Sequence, residues 1–180
     1  MDQAKDKYLC ETYPKLFVER HLPMTETCMC WGFEHGDGWF HIVDSLCGAI
    51  QNHIDSGLEN HERAVAYNKA LADAKAGDYM AFDEYWKGVG EKVLADARAG
   101  VAGEEPRPVP DAPEQVVVKQ VKEKYGTLRF YYEGGDDYVA GLVAMAEAMS
   151  GRTCEKCGAP GRNEPRRGRW WSTLCEKCKD

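Results

Sequence analysis

Hydrophobic positions along this chain fall into runs of two different periods, and the change of period marks out the elements. Tyr8, Leu9, Tyr13, Leu16 and Phe17 share one face of a helix over residues 4–20, with Pro14 kinking it or starting a new segment. The clearest run is Trp39, Ile42, Val43, Leu46, Cys47, Ile50 and Ile54, in i, i+3, i+4 order, with Asp37 placed to cap its start. A third helix is predicted from an Asn60 cap to about Ala76, where Gly77 ends it. A fourth opens at Asp78 and carries Tyr79, Phe82, Tyr85, Trp86, Val89 and Val93 on one side, weakened at Gly88 and Gly90. This charged pair reads as a helical insertion over about 57–100. Four prolines between Gly103 and Pro113 make the next stretch a polyproline-like linker.

Beyond the linker the period shortens to two. Val116–Val118 with Val121, and Leu128–Tyr132, are β-rich runs around Lys124-Tyr125-Gly126, which predicts a hairpin turning at Gly126. A lone hairpin is marginal in water, so one of its faces must lie on helices. Gly134-Gly135-Asp136-Asp137 ends the second strand and caps a last helix striped by Val139, Leu142, Val143, Met145, Ala146 and Met149. The pattern is that of an α+β fold, in which residues 1–150 form a body of helices packed on a small antiparallel sheet.

Residues 151–180 follow no amphipathic period, and cysteine spacing organises them instead. Cys154-x-x-Cys157 and Cys175-x-x-Cys178, seventeen residues apart, are the ligand spacing of a four-cysteine zinc ribbon. Each pair turns both sulfurs inward, and Gly158 suits the positive φ that such a turn needs. Four cysteine ligands leave no coordination position for water or substrate, so the zinc is structural. Iron competes for the same four sulfurs. Two disulfides are the other alternative, disfavoured because neither a secretory leader nor a membrane span is visible and a reducing cytosol is expected.

Charge is divided unevenly. Residues 151–180 hold eight Lys/Arg against four Asp/Glu, a net of +4, so with −7 overall residues 1–150 carry −11. An acidic body repels nucleic acid, whereas a basic module, with Arg162, Arg166, Arg167, Arg169, Trp170 and Trp171, suits nucleic acid or a protein partner. Four thiolates around a divalent ion return half of that +4.

The candidate ligand chemistry lies in Trp31-Gly-Phe-Glu-His-Gly-Asp-Gly-Trp39 and on the hairpin. Trp31 and Trp39 offer stacking faces, Glu34, His35 and Asp37 supply acceptors, and a helix N-terminus behind the loop favours a phosphate or carboxylate. The bland alternative is a tight helix connection with both tryptophans packed in the core. Lys119, Lys122, Lys124 and Arg129, interleaved with Tyr125, Tyr131 and Tyr132, form a basic–aromatic strand surface suited to a nucleotide, unless the pattern is ordinary alternation of a solvated face. Glu34, His35 and Asp37 also allow a small hydrolase. Against that, nucleophile motifs, phosphate loops and open metal sites are all missing. Cys28 and Cys30 near His35 or His41 read as thiols rather than a second metal site, as do Cys10 and Cys47, and His21, His53 and His61 as surface or helix-face residues.

The segments Pro23–Trp39, Gln120–Tyr132 and the two Cys-Glu-Lys-Cys knuckles resemble a group of small uncharacterised proteins encoded in tailed phages and prophages. The resemblance covers residues 8–56 and 115–180, with 57–113 as its variable part. It implies a phage origin and a life in bacterial cytoplasm, and brings no activity with it. The expectation is a non-enzymatic binding protein with structural zinc that sequesters a nucleotide-like or phosphate-bearing ligand such as a host immune signal. Trp31, Glu34, His35, Asp37, Trp39, Lys124, Arg129 and Tyr131 are its candidate ligand residues. A regulatory zinc ribbon binding nucleic acid or a host protein, and the hydrolase, are the alternatives.

Overall fold

Helix α1 (Gln3–Thr12) stops where Pro14 requires it to. Tyr13 leaves helical geometry at φ −122° and ψ 57°, as a residue before proline tends to, and a series of turns carries Leu16 and Phe17 into the core. The expected helix to residue 20 is therefore only half helical. The computed structural model describes residues 1–165 and 170–179. In order, the remaining elements are β1 (Phe33–Glu34), α2 (Phe40–Lys75), α3 (Met80–Tyr85), α4 (Glu91–Gly100), β2 (Val117–Lys124), β3 (Thr127–Glu133), α5 (Asp137–Ser150), β4 (Arg162–Pro165) and β5 (Trp171–Leu174). The fold is α+β, finished by a C-terminal cluster of cysteines.

By its internal contacts the chain divides into two units, Met1–Ile54 with Pro113–Asp180, and Asp55–Ala112. Two of the expected helix boundaries move. The second and third predicted helices are one 36-residue helix, α2, because Gly57 costs only about 1 kcal/mol inside a helix and no proline interrupts it. The predicted fourth helix is two, α3 and α4. Gly88 and Gly90 stand at φ +89° and +95°, a left-handed backbone that stops one helix before the next begins.

In the unit Asp55–Ala112, Tyr67, Ala70, Leu71, Ala74, Phe82 and Val101 close a small core. Residues 104–112 have no regular structure, yet they are fastened within this unit. Asn68 exchanges two hydrogen bonds with the Arg107 backbone, the Arg107 guanidinium lies 3.6 Å from the centre of the Tyr67 ring, and His61 Nδ1 contacts the Pro110 carbonyl at 2.7 Å.

In the other unit β1, β2 and β3 form one sheet in that order, β1 parallel and β3 antiparallel to β2. The hairpin turns through Tyr125 (φ 54°) and Gly126 (φ 75°), two consecutive left-handed residues of the kind that match strand twist. Val116, Val118 and Val121 are all buried although their spacing breaks alternation. A bulge between Val118 and Gln120 supplies the extra residue that returns Val121 to the inner face. Phe33, Val121, Leu128 and Phe130 then face inward against Trp39, Val43 and Val143. Glu34, Lys122 and Arg129 stand in register on the opposite face.

Helix α5 is capped by Asp136, whose carboxylate accepts from Val139 N at 3.0 Å, and it lies along the outer edge of β3. Two of its side chains take the free N–H groups of that edge: Ser150 Oγ accepts from Leu128 N at 2.8 Å and Glu147 Oε1 from Phe130 N at 3.1 Å. The opposite edge is β1, only two residues long, whose Phe33 carbonyl accepts from the Met1 nitrogen at 3.2 Å.

Candidate metal centre and binding face

The short sheet of β4 and β5 and two tight turns bring Cys154, Cys157, Cys175 and Cys178 together, with all four sulfurs within 4.8 Å of one another. In the first knuckle Gly158 N donates to Cys154 O at 2.8 Å and Gly158 takes φ +76°, the conformation its residue type permits. In the second, Cys178 N donates to Cys175 O at 3.1 Å. All eight cysteines are free thiols. Burial alone would push the Cys154 thiol up, but backbone N–H groups of Cys175, Cys157 and Lys156 aimed at its sulfur bring it down to about 6. The neighbouring thiols of Cys157 and Cys175 push Cys178 up to about 12. Four sulfurs this close cannot all ionise by themselves, and a divalent cation at their centre removes the repulsion. The donor set fits a tetrahedral metal ion with every position filled by protein.

The knuckle is also a docking surface. Glu155, between the two cysteines, accepts from Gly36 N through Oε1 at 2.9 Å and from Gly38 N through its main-chain oxygen at 2.7 Å. Trp39 Nε1 donates to Thr153 O at 2.7 Å. The hairpin tip is held from the other side: Asn163 Nδ2 donates to Tyr125 O at 3.1 Å, and Thr173 Oγ1 donates to Gly126 O. Burial lifts the Glu155 carboxyl above its ordinary range, only partly offset by the Gly36 N–H.

This geometry separates the eight candidate ligand residues into two groups. Trp39 is fully buried and offers no stacking face, so its expected ligand role gives way to packing. His35 is 5 % exposed; its Nδ1 lies 2.9 Å from Gly36 O and its Nε2 has no partner. Asp37 neither caps α2 nor faces a ligand, since its carboxylate accepts from Asp2 N at 2.7 Å and Lys5 Nζ at 3.0 Å. Lys5 and the Asp2 N–H hold its carboxyl down at about 2. The acceptor for the loop's free N–H groups is the chain's own Glu155 rather than an external anion. Glu34, His35 and Asp37 engage three different partners, so the hydrolase constellation is not assembled.

Glu34, Lys124, Arg129 and Tyr131 do come together, on the outer face of the sheet. Lys122, Gln120 and Thr127 stand among them. Lys122 Nζ lies 5.4 Å from the centre of the Tyr131 ring and Lys124 Nζ 5.7 Å from that of Tyr125. Neither lysine has a carboxylate partner among the described residues, whereas Arg129 is tied to Thr127, to Leu128 O and, at 3.6 Å, to Glu147. Tyr131 is 41 % exposed and Trp31, in a turn packed near β2, 54 %. Beside Tyr131 a cleft of about 330 Å³ is lined by Met24, Thr27, Cys28, Lys119, Gln120 and Tyr131. Sequence reading missed this cleft, and missed Glu155 as the residue that occupies the glycine loop.

Cys28 is exposed and Cys30 half-buried, its thiol on Thr27 O at 3.2 Å. Among the described residues the C-terminal four are the only cluster that gathers into a metal-holding geometry. Burial pushes the half-buried Cys10 thiol up to about 11 and that of the buried Cys47 well above its ordinary value, as expected for inert thiols. Arg166, Arg167 and Arg169 lie outside the described residues. Among the described residues, no helix is long and apolar enough to cross a membrane.

His35 carries a pH prediction. Burial holds its imidazole at about 4, against 6.5 for a free side chain. The unfolded chain takes up a proton below about 6.5 while the folded one stays neutral to about 4, so stability is full above the first value and falls as pH drops between them. The loss totals about 3 kcal/mol. Acid weakens metal binding as well. Urea melts of wild type and His35→Leu should therefore diverge from neutral pH down to about 4, the variant losing less. Parallel curves would show that this imidazole is not held neutral.

No protein-family model, curated protein or solved structure matches the chain. What the fold and site define is a class: an α+β protein whose C-terminal four-cysteine cluster can hold a metal ion.

Proposed function

We propose that this chain is a non-enzymatic binding protein of the tailed-phage type, stapled by a structural zinc ion, whose outer sheet face sequesters a small nucleotide-like ligand such as a host immune signal. The observation that carries the reading is the alignment of Lys122, Lys124, Arg129 and Tyr131 on one solvent-facing surface, beside a cleft of about 330 Å³. The base stacks on Tyr131 at the cleft, and the phosphate is met by Lys122 and Lys124, which have no carboxylate partner among the described residues. Zinc suits the tetrahedral thiolate set because it needs no vacant position and performs no redox chemistry while cross-linking the chain. The sequence resemblance to phage proteins supports the biological setting.

Titration of purified, metal-loaded protein with a panel of mono-, di- and cyclic nucleotides tests this. Tyr131→Ala should weaken the best ligand about tenfold, in line with about 1–3 kcal/mol for a base stacked on an aromatic ring. Lys122→Ala should weaken it in a salt-dependent way. No stabilisation by any nucleotide, with no nucleotide released on denaturation, would sink the proposal. A second reading, a basic module that binds nucleic acid or a host protein, is favoured by the exposed Trp170 and Trp171. Salt-sensitive polynucleotide binding that is lost on replacing Arg166, Arg167 and Arg169, and indifferent to Tyr131→Ala, would select it.

A further inference from the structure

Helix α5 presents its outer face without a single charge. Every exposed position between Tyr138 and Met149 is apolar, alanine or glycine, and Glu147 is turned toward the sheet edge. A solvated helix in an acidic chain normally places charged residues there. Next to this face, between α2 and α5, runs an apolar groove of about 260 Å³ lined by Ile42, Leu46, Leu142, Met145, Ala146 and Met149. Met145 and Met149 stand 57 % and 49 % exposed at its rim.

We infer that this face binds a second copy of the same chain, the two α5 helices packing antiparallel across a two-fold axis between Ala144 and Met145. The helix is self-complementary in that arrangement. Met145 falls opposite Ala144 of the second copy, Met149 opposite Ala140, and Ala148 opposite Gly141, so each large side chain meets a small one. The charges follow the same rule. Asp137 at the start of α5 falls opposite Arg152 just past its end; both are exposed, and neither side chain has an ionic partner among the described residues. The groove gives the flexible methionines of the second copy a place to bury. A 14-residue helix is about 21 Å long. The contact is therefore smaller than the about 800 Å² per partner of a standard interface, and a dimer of micromolar dissociation constant is expected.

Sedimentation equilibrium of the full metal-loaded chain across the micromolar range should show a monomer–dimer equilibrium. Ala144→Glu, at an exposed helix position, should weaken the dimer about tenfold or more while leaving the melting curve of the dilute monomer in place. Asp137→Arg and Arg152→Asp should each weaken self-association, because each sets like charges opposite each other twice. Mixing the two variants should restore a heterodimer, since every facing pair is then of opposite sign. A chain that stays monomeric throughout, or a dimer indifferent to Ala144→Glu and to the charge exchange, would overturn the inference. The binding face of the sheet plays no part in this test.

Discussion

Stripping the metal with a chelator, or replacing Cys154 with serine, is expected to abolish cooperative unfolding of the unit that contains the sheet. Structural zinc in small Cys-ligated modules contributes about 10–16 kcal/mol, and whole domains are stable by only about 5–15 kcal/mol. The effect should extend well beyond residues 151–180. Glu155 holds Gly36 and Gly38 and Thr153 holds the Trp39 indole, while Thr173 and Asn163 hold the hairpin tip. Hydrogen exchange with and without chelator should show protection lost at residues 36–39 and 125–126 together with the knuckles. Unchanged melting in protein verified by elemental analysis to be metal-free would end the case for a structural ion. Oxidation of the four thiols to disulfides in freshly reduced material would do the same.

The second large effect is expected from a single methyl group. A Cβ placed on Gly38 would stand 2.1 Å from Cys154 O, 2.4 Å from Gly158 N and 2.8 Å from Cys157 N. All three are backbone atoms of a knuckle fixed by its ligands, so nothing can swing aside. Gly38→Ala should destabilise by about 4 kcal/mol or more, at the upper end of overpacking effects. Metal affinity should fall with it, because the knuckle can keep its geometry only by releasing the loop. Gly141→Ala is the contrast. A Cβ there meets nothing within 4 Å, and an exposed helix interior gains up to about 1 kcal/mol from the change. If Gly38→Ala melted like wild type, the close seat of the loop on the knuckle would be wrong.

These two predictions show which parts of the structure could be read from residues in order and which could not. The cysteine spacing located the metal cluster because a tight turn places both sulfurs of each pair locally, and the ion needs only two such turns. Asp136 at the cap of α5, the apolar stripe of α2 and the turn at Gly126 were legible for the same reason: each depends on residues within one or two turns of itself. The glycine–tryptophan loop was not. Its partner, Glu155, lies 119 residues from Gly36, and the residue types that pack such a loop against a knuckle are those that would cradle an anion. Strand β1 was missed because two residues carry no period. The bulge after Val118 was invisible as such, although Val116, Val118 and Val121 already broke strict alternation. Lys124, Arg129 and Tyr131 were found because a strand's own alternation sorts them onto one face, and Glu34 joins them only through the unpredicted β1.

The clasp of Ser150 and Glu147 on the outer strand has a further consequence. An exposed strand edge is an open template on which another chain can add itself, and repeated addition is how sheets grow into fibrils. Here one margin is sealed by two side chains of α5 and the other is cut down to Phe33 and Glu34. The sheet is thus finite by construction, with no long open margin on which a further strand could be laid.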